Sequence, residues 1–199
     1  QAQPQSDLVI DANELPPGMV MTIRTLPCRV TSLEKASHDV MLLGLKLPQN
    51  QKFEYLPGQY IDILLRDGRR RSFSIANAAT DGEDLQLHVR LVPDGHFTEQ
   101  VFTNMNVRDL LRFQGPLGTF FLRENESRPV ILIAGGTGLA PIKAMLEKAF
   151  AQHSTRPFHL FWGVRSQTDL YFHAQIKAWL QVHSNLNYTP VLSEPKSAE

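Results

Sequence analysis

Pro129-Val130-Ile131-Leu132-Ile133-Ala134 runs straight into Gly135-Gly136-Thr137-Gly138-Leu139-Ala140-Pro141. The apolar run reads as a strand with both faces buried, as in a parallel sheet. The glycines after it predict a turn where a ligand can approach the backbone closely. A helix is expected from about Ala140 to Gln152, with Pro141 in its first turn, where no N–H is required. A helix N-terminus presents free N–H groups and a positive dipole end, which favour phosphate. The pattern is neither G-x-G-x-x-G nor a Walker A loop, since no Gly-Lys-Ser/Thr follows. A tight turn without a ligand is the bland alternative, and the strand–turn–helix context favours nucleotide.

Downstream the same grammar repeats. Phe158 to Gly163 predicts a second strand, Asp169 to Val182 a second helix and Leu186 to Leu192 a third strand. Strands alternating with helices indicate an open parallel sheet with right-handed crossovers. Three strands are half of a doubly wound sheet, so the α/β domain over 125–199 reads as partial, cut short after Leu192. Upstream, over 20–124, the pattern is strands and turns. Leu85, Leu87, Val89 and Leu91 alternate with polar residues. Gln59 to Leu65 and Arg69 to Ile75 flank Asp67-Gly68, a hairpin signal. The expectation is an all-β, antiparallel, six-stranded Greek-key barrel with one short helix near Thr98 to Phe102. Residues 1–19 are polar and Pro-rich and read as a tail or linker.

Composition narrows the function. Lys plus Arg and Asp plus Glu number 20 each, which argues against a nucleic-acid partner. The longest apolar run is too short and too Gly-rich for a membrane span. Cys28 is the single cysteine, so no intrachain disulfide forms and no cysteine cluster holds zinc or iron–sulfur. It reads as a small buried thiol. A cytoplasmic setting and no metal site are the expectations. No signal peptide is visible, and Gln1 in place of Met predicts that something upstream is absent.

Arg71-Ser72-Phe73-Ser74 lies on the second hairpin strand. The Arg fork suits phosphate, the Phe ring offers a flat apolar face and the Ser hydroxyl donates or accepts. Alternation puts Arg71 and Phe73 on one face, Ser72 and Ser74 on the other. Read alone, these four residues fit a basic hairpin, Arg69 to Arg71, with Phe73 in the core. They do not stand alone. Gly95-His96-Phe97-Thr98, Gly115-Pro116-Leu117-Gly118 and the Gly135–Gly138 turn follow in order across the barrel-to-α/β boundary.

This ordered set resembles the ferredoxin–NADP reductase superfamily from about Met21 to Pro195. It is most similar to the reductase components of bacterial oxygenases and to CDP-6-deoxy-glucoseen reductases. The resemblance implies FAD, with FMN second, and NADH or NADPH as substrate. It implies that Arg71 binds the flavin phosphates, with Ser72 beside it. Phe73 would pack on the isoalloxazine, where the family has Tyr, and Ser74 would lie near flavin N5 as the catalytic residue. His88, Val89 and Arg90 would line the ribityl and phosphate tail. Phe97 and Thr98 would meet the flavin phosphate, with His96 beside them and Thr98 capping the short helix. Gly135, Gly136, Thr137 and Gly138 would face the nicotinamide nucleotide, and Arg165 its phosphate or ribose. The family's terminal Cys-Gly-Pro turn has no counterpart here. Gln5 to Ile10 resembles the last strand of a plant-type ferredoxin domain, so any [2Fe-2S] cluster would belong to an upstream part.

The implied function is an NAD(P)H-dependent flavoprotein reductase, an electron-transport oxidoreductase passing electrons to an iron–sulfur domain or another electron-accepting protein. Two alternatives are a flavin-binding interaction or regulatory module without nicotinamide turnover, and a cofactor-free barrel whose Arg69 to Arg71 meet an acidic partner.

Overall fold

The computed structural model describes residues 8–9, 15–78 and 84–195. The N-terminal unit comprises β1 (Leu8–Val9), β2 (Thr22–Lys35), β3 (Val40–Lys46), β4 (Tyr60–Leu64), β5 (Arg70–Ser74), β6 (Leu85–Arg90), α1 (His96–Thr103) and β7 (Leu110–Leu117). The second contains β8 (Val130–Gly135), α2 (Leu139–Ala151), β9 (Phe158–Val164), α3 (His173–Val182) and β10 (Leu186–Leu192).

The barrel strands pair antiparallel in the order β5-β4-β7-β2-β3-β6, and β1 adds to the start of β2. β7 is inserted between the β4–β5 and β2–β3 hairpins, a Greek-key connection. An isolated bridge, Ile75 to Leu87, draws the two ends of the sheet together. Alternation decides what faces inward: Ile61 and Ile63 on β4 and Leu87 and Val89 on β6 are fully buried. α1 adds Phe97 and Val101 to the same core. Cys28 lies within β2, and burial pushes its thiol up to about 12, which leaves it inert at neutral pH. Of the segment Gln5 to Ile10, only Leu8 and Val9 are among the described residues. Leu15 is buried beside Met21 and Leu56, so the chain is packed against the barrel before β2 begins.

The second unit is a parallel sheet in the order β10-β9-β8. Phe158, Leu160 and Trp162 of β9 share one core with Ile142 and Leu146 of α2 and Ile176 of α3. Both crossovers therefore carry their helices to the same face of the sheet. This corrects the expectation that β8 is buried on both sides: Ile131 and Ile133 are 69% and 76% exposed. The second helix also starts later than periodicity predicts. A 3₁₀ turn over Gln167–Asp169, closed by a reciprocal Ser166–Asp169 capping box, precedes α3 at His173. Among the described residues no helix is long and apolar enough to cross a membrane.

Candidate functional site

The barrel is open between β5 and β6, the two ends of the strand order, which among the described residues are joined by the single Ile75–Leu87 bridge. Arg71 and Phe73 stand opposite Ile63 and Ile61 of β4 and so point toward the barrel side of the opening, as alternation requires. Phe73 is half-buried and lies 5.6 Å from the buried ring of Phe97, joining β5 to the start of α1. The Arg71 guanidinium donates to the Arg70 carbonyl at 2.7 Å and has no acidic partner among the described residues. It is therefore a free cationic fork at the mouth. Ser72 donates to Asp62 at 2.6 Å on the outer face. Ser74, opposite Tyr60, has no side-chain hydrogen bond among the described residues.

The structure assigns the α1 residues different work from that expected of their side chains. Phe97 is 1% exposed and Thr98 is buried. The helix N-cap is Gly95 and no side chain caps it, which corrects the expectation for Thr98. Its hydroxyl accepts from the Val92 amide at 3.0 Å and reaches the Val92 and Gly95 carbonyls, because it sits within the helix facing back onto the turn. At its start α1 carries backbone N–H groups that lack intrahelical partners, with His96 exposed beside them. Val89 is wholly inside the barrel core, so only its backbone could meet a ligand. His88 points the other way, into the seam between the two units. Its Nδ1 lies 2.8 Å from the Tyr171 hydroxyl, and its buried Nε2 has no partner among the described residues. Burial, then the charge of Lys143, pushes its pKa down to about 3, so the ring is neutral at ordinary pH.

The glycine turn, Arg90 and Arg165 converge. A cavity of about 260 Å³ opens at the carboxyl ends of β8 and β9, lined by Gly136, Thr137, Arg165, Arg90, Asp39 and Tyr171. Carboxyl ends of parallel strands are where open α/β sheets take ligands. Gly136 has φ +52, a conformation costly for other residues, and its carbonyl accepts from Trp162 Nε1 at 2.9 Å. A Cβ on Gly136 would come within 4.0 Å of the Arg90 guanidinium, while Gly135 and Gly138 face open space. Asp39, from the β2–β3 turn, lies 3.4 Å from Arg90 and 3.5 Å from Arg165. His38, Asp39 and Asp169 come close enough to suggest a cation site. The two arginines on Asp39 and the Ser166 bonds to Asp169 make it a charge network instead. A second cavity, of about 930 Å³, lies beside the C-terminal half of α2 and Leu15 and touches none of the candidate residues.

Sequence reading missed Asp39, Tyr171, Lys143 and Glu147. Only the last two left a signal: a lysine among the apolar residues Leu139 to Leu146, with Glu147 four residues on.

Comparison with known proteins agrees with this geometry. Residues 27–122 match the oxidoreductase FAD-binding domain family and residues 132–199 the oxidoreductase NAD-binding domain family. A CDP-6-deoxy-L-threo-D-glycero-4-hexulose-3-dehydrase reductase of Yersinia pseudotuberculosis is 39% identical over 189 residues, covering 95% of this chain and 56% of the relative. A ferredoxin–NAD(P)(+) reductase component of naphthalene 1,2-dioxygenase/salicylate 5-hydroxylase systems, from a Ralstonia species, is 33% identical over 97% of this chain and 58% of its own length. The crystal structure of an Amycolatopsis cytochrome P450 reductase superposes with a TM-score of 0.83 at 33% identity, over 90% of this chain and 55% of that one. The chain thus spans somewhat more than half the length of these relatives. A barrel with a cationic mouth, joined to a parallel sheet with a glycine turn and carrying both family signatures, places the chain in the ferredoxin reductase-type family of FAD- and NAD-binding oxidoreductases.

Proposed function

We propose that this chain is the flavin- and nucleotide-binding part of a cytoplasmic NAD(P)H-dependent reductase that passes electrons to an iron–sulfur protein or domain. The observation that carries this reading is the meeting of the two units at Arg90 of β6, which lines the cavity with Gly136, Thr137 and Arg165 and shares Asp39 with Arg165. The Ile75–Leu87 bridge ties the same strand to the chain just after Arg71 and Phe73 of β5. FAD, when bound, supplies the redox chemistry, taking a hydride from the nicotinamide and releasing electrons to the acceptor.

The residues present fit such a group. Arg71 holds its phosphates, with the first N–H groups of α1 as neutral donors. Phe73 offers a ring face to the isoalloxazine. Ser74 presents a hydroxyl free to donate to the reactive edge as charge develops there. On the other side, Gly136 and Thr137 let the nucleotide approach the backbone, and Arg165 and Arg90 meet its phosphates. The two arginines share Asp39, so a bound pyrophosphate would take over from that carboxylate.

The test is an absorption spectrum of the purified protein followed by anaerobic addition of NADH and, separately, NADPH. A bound flavin spectrum that bleaches with either nucleotide is expected. A colourless protein that takes up no flavin overturns the proposal.

A further inference from the structure

Resting on the function proposed above, we propose that Lys143 and Glu147 of α2 form a clasp on the barrel segment Ala76–Ala78, setting the distance between the strand that holds flavin and the turn that holds nucleotide. The Lys143 ammonium, 6% exposed, donates to the Ala76 carbonyl at 2.9 Å. It pairs with Glu147 one turn on. The other Glu147 oxygen accepts from the Ala78 amide at 3.0 Å. One helix thus holds a carbonyl and an amide of the same short barrel segment. The Lys143 ammonium also lies 5.5 Å from the centre of the Phe172 ring.

The clasp sits a few residues along the chain from both candidate sites. Ala76 is two residues after Ser74 on β5, and Lys143 lies in the second turn of the helix that opens just after Gly138. The segment is rigid from its own side too. Tyr55 donates to the Asn77 carbonyl at 2.9 Å, Asn77 bonds Asp84 and Gln86, and the Ala76 amide donates to Gln86 at 2.7 Å. A buried ammonium with a carboxylate partner is costly to desolvate and weak evidence for stability. Its directional bonds across the seam instead specify one relative placement of the two units. Hydride transfer depends steeply on that placement, since a displacement near 1 Å costs on the order of a hundredfold in rate. Lys143 is then a positioning residue that touches neither cofactor nor substrate.

The experiment compares flavin-loaded wild type with Lys143→Met, Glu147→Gln and, as a control on the same helix, Lys148→Met. Amide exchange at Ala76–Ala78, flavin content, the long-wavelength charge-transfer absorbance on mixing with NADH, and the limiting rate constant and KM for flavin reduction are read. Lys143→Met is expected to keep its flavin and its KM within about two-fold, to exchange faster at Ala78, to lose charge-transfer absorbance and to be reduced on the order of tenfold more slowly. Glu147→Gln keeps an acceptor for Ala78 but loses the charge facing Lys143, and should fall between; it carries the test if the lysine variant does not fold. Lys148→Met should match wild type. An unchanged limiting rate and charge-transfer band in both clasp variants overturn the clasp while leaving the reductase reading intact. A wild-type protein that takes no flavin overturns that reading and the clasp's role with it.

Discussion

At the scale of single residues, the decisive observation is which side chains are left without partners. Arg71 is a guanidinium at an open barrel mouth that, among the described residues, bonds only a neighbouring carbonyl. Arg69, two positions away, is tied to Asp67 at 2.7 Å. Arg71→Ala should therefore lower flavin affinity by roughly tenfold or more, since a charged hydrogen bond is worth about 1.5–3 kcal/mol. The barrel should unfold at the same temperature in the apo form, and flavin titration with thermal melts checks both halves. A variant that retains full flavin removes Arg71 from the site. Ser74 is the complementary case, a small hydroxyl with no bond of its own among the described residues. Ser74→Ala should bind flavin as wild type does but be reduced more slowly at saturating nucleotide in stopped flow; an identical rate constant would exclude it from the mechanism.

At the scale of elements, α1 is the part whose role changed most between sequence and structure. The motif Gly95-His96-Phe97-Thr98 is expected to supply side chains to a phosphate. In the fold Phe97 is a core residue that packs on Phe73, and Thr98 ties the helix back to the turn before it. α1 thus serves as a plug, with Phe97 and Val101 in the barrel core. Phe97→Ala should cost about 3–5 kcal/mol, the range for removing a buried aromatic, seen as a drop in the denaturation midpoint. It should also loosen flavin by freeing Phe73. His96→Ala, on the exposed side of the same turn, should leave stability within about 0.5 kcal/mol of wild type. Equal destabilisation by both would contradict this division of labour.

At the scale of the whole molecule, the two units meet through a polar seam: Lys143 and Glu147 on Ala76 and Ala78, Tyr171 on His88, and Asp39 on Arg165. His88 gives the seam a pH dependence. Its folded pKa of about 3 lies below the ordinary 6.5, so between these values the unfolded chain binds a proton that the folded chain refuses. Stability is then fully present above about pH 6.5 and is lost as pH falls toward 3, by up to about 1.4 kcal/mol per pH unit for this one proton. Denaturation measured from pH 7 to pH 4 should show a shallower decline in His88→Gln than in wild type. Parallel curves would mean that the ring is not excluded from water as the fold places it.

The sequence alone determined the elements and their kind. Period-two alternation in Leu85 to Arg90, the Asp67-Gly68 hairpin and the Gly135–Gly138 turn between a strand and a helix are local patterns, set by backbone sterics and by which neighbours share a face. So the barrel, the parallel sheet and the glycine turn could all be read in advance, while the role of Arg71 came only from the family resemblance. Tertiary structure decided what depends on residues far apart in the chain. Whether Ile131 and Ile133 are covered depends on which face two separate crossovers choose, which the hydropathy of β8 does not encode. Whether His88 faces flavin or Tyr171 depends on a residue 83 positions away. Asp39 became a site residue only because Arg90 and Arg165 arrive beside it from two other elements. A charge or a ring acquires its role from what is brought within a few ångströms of it, and only the closed fold supplies that.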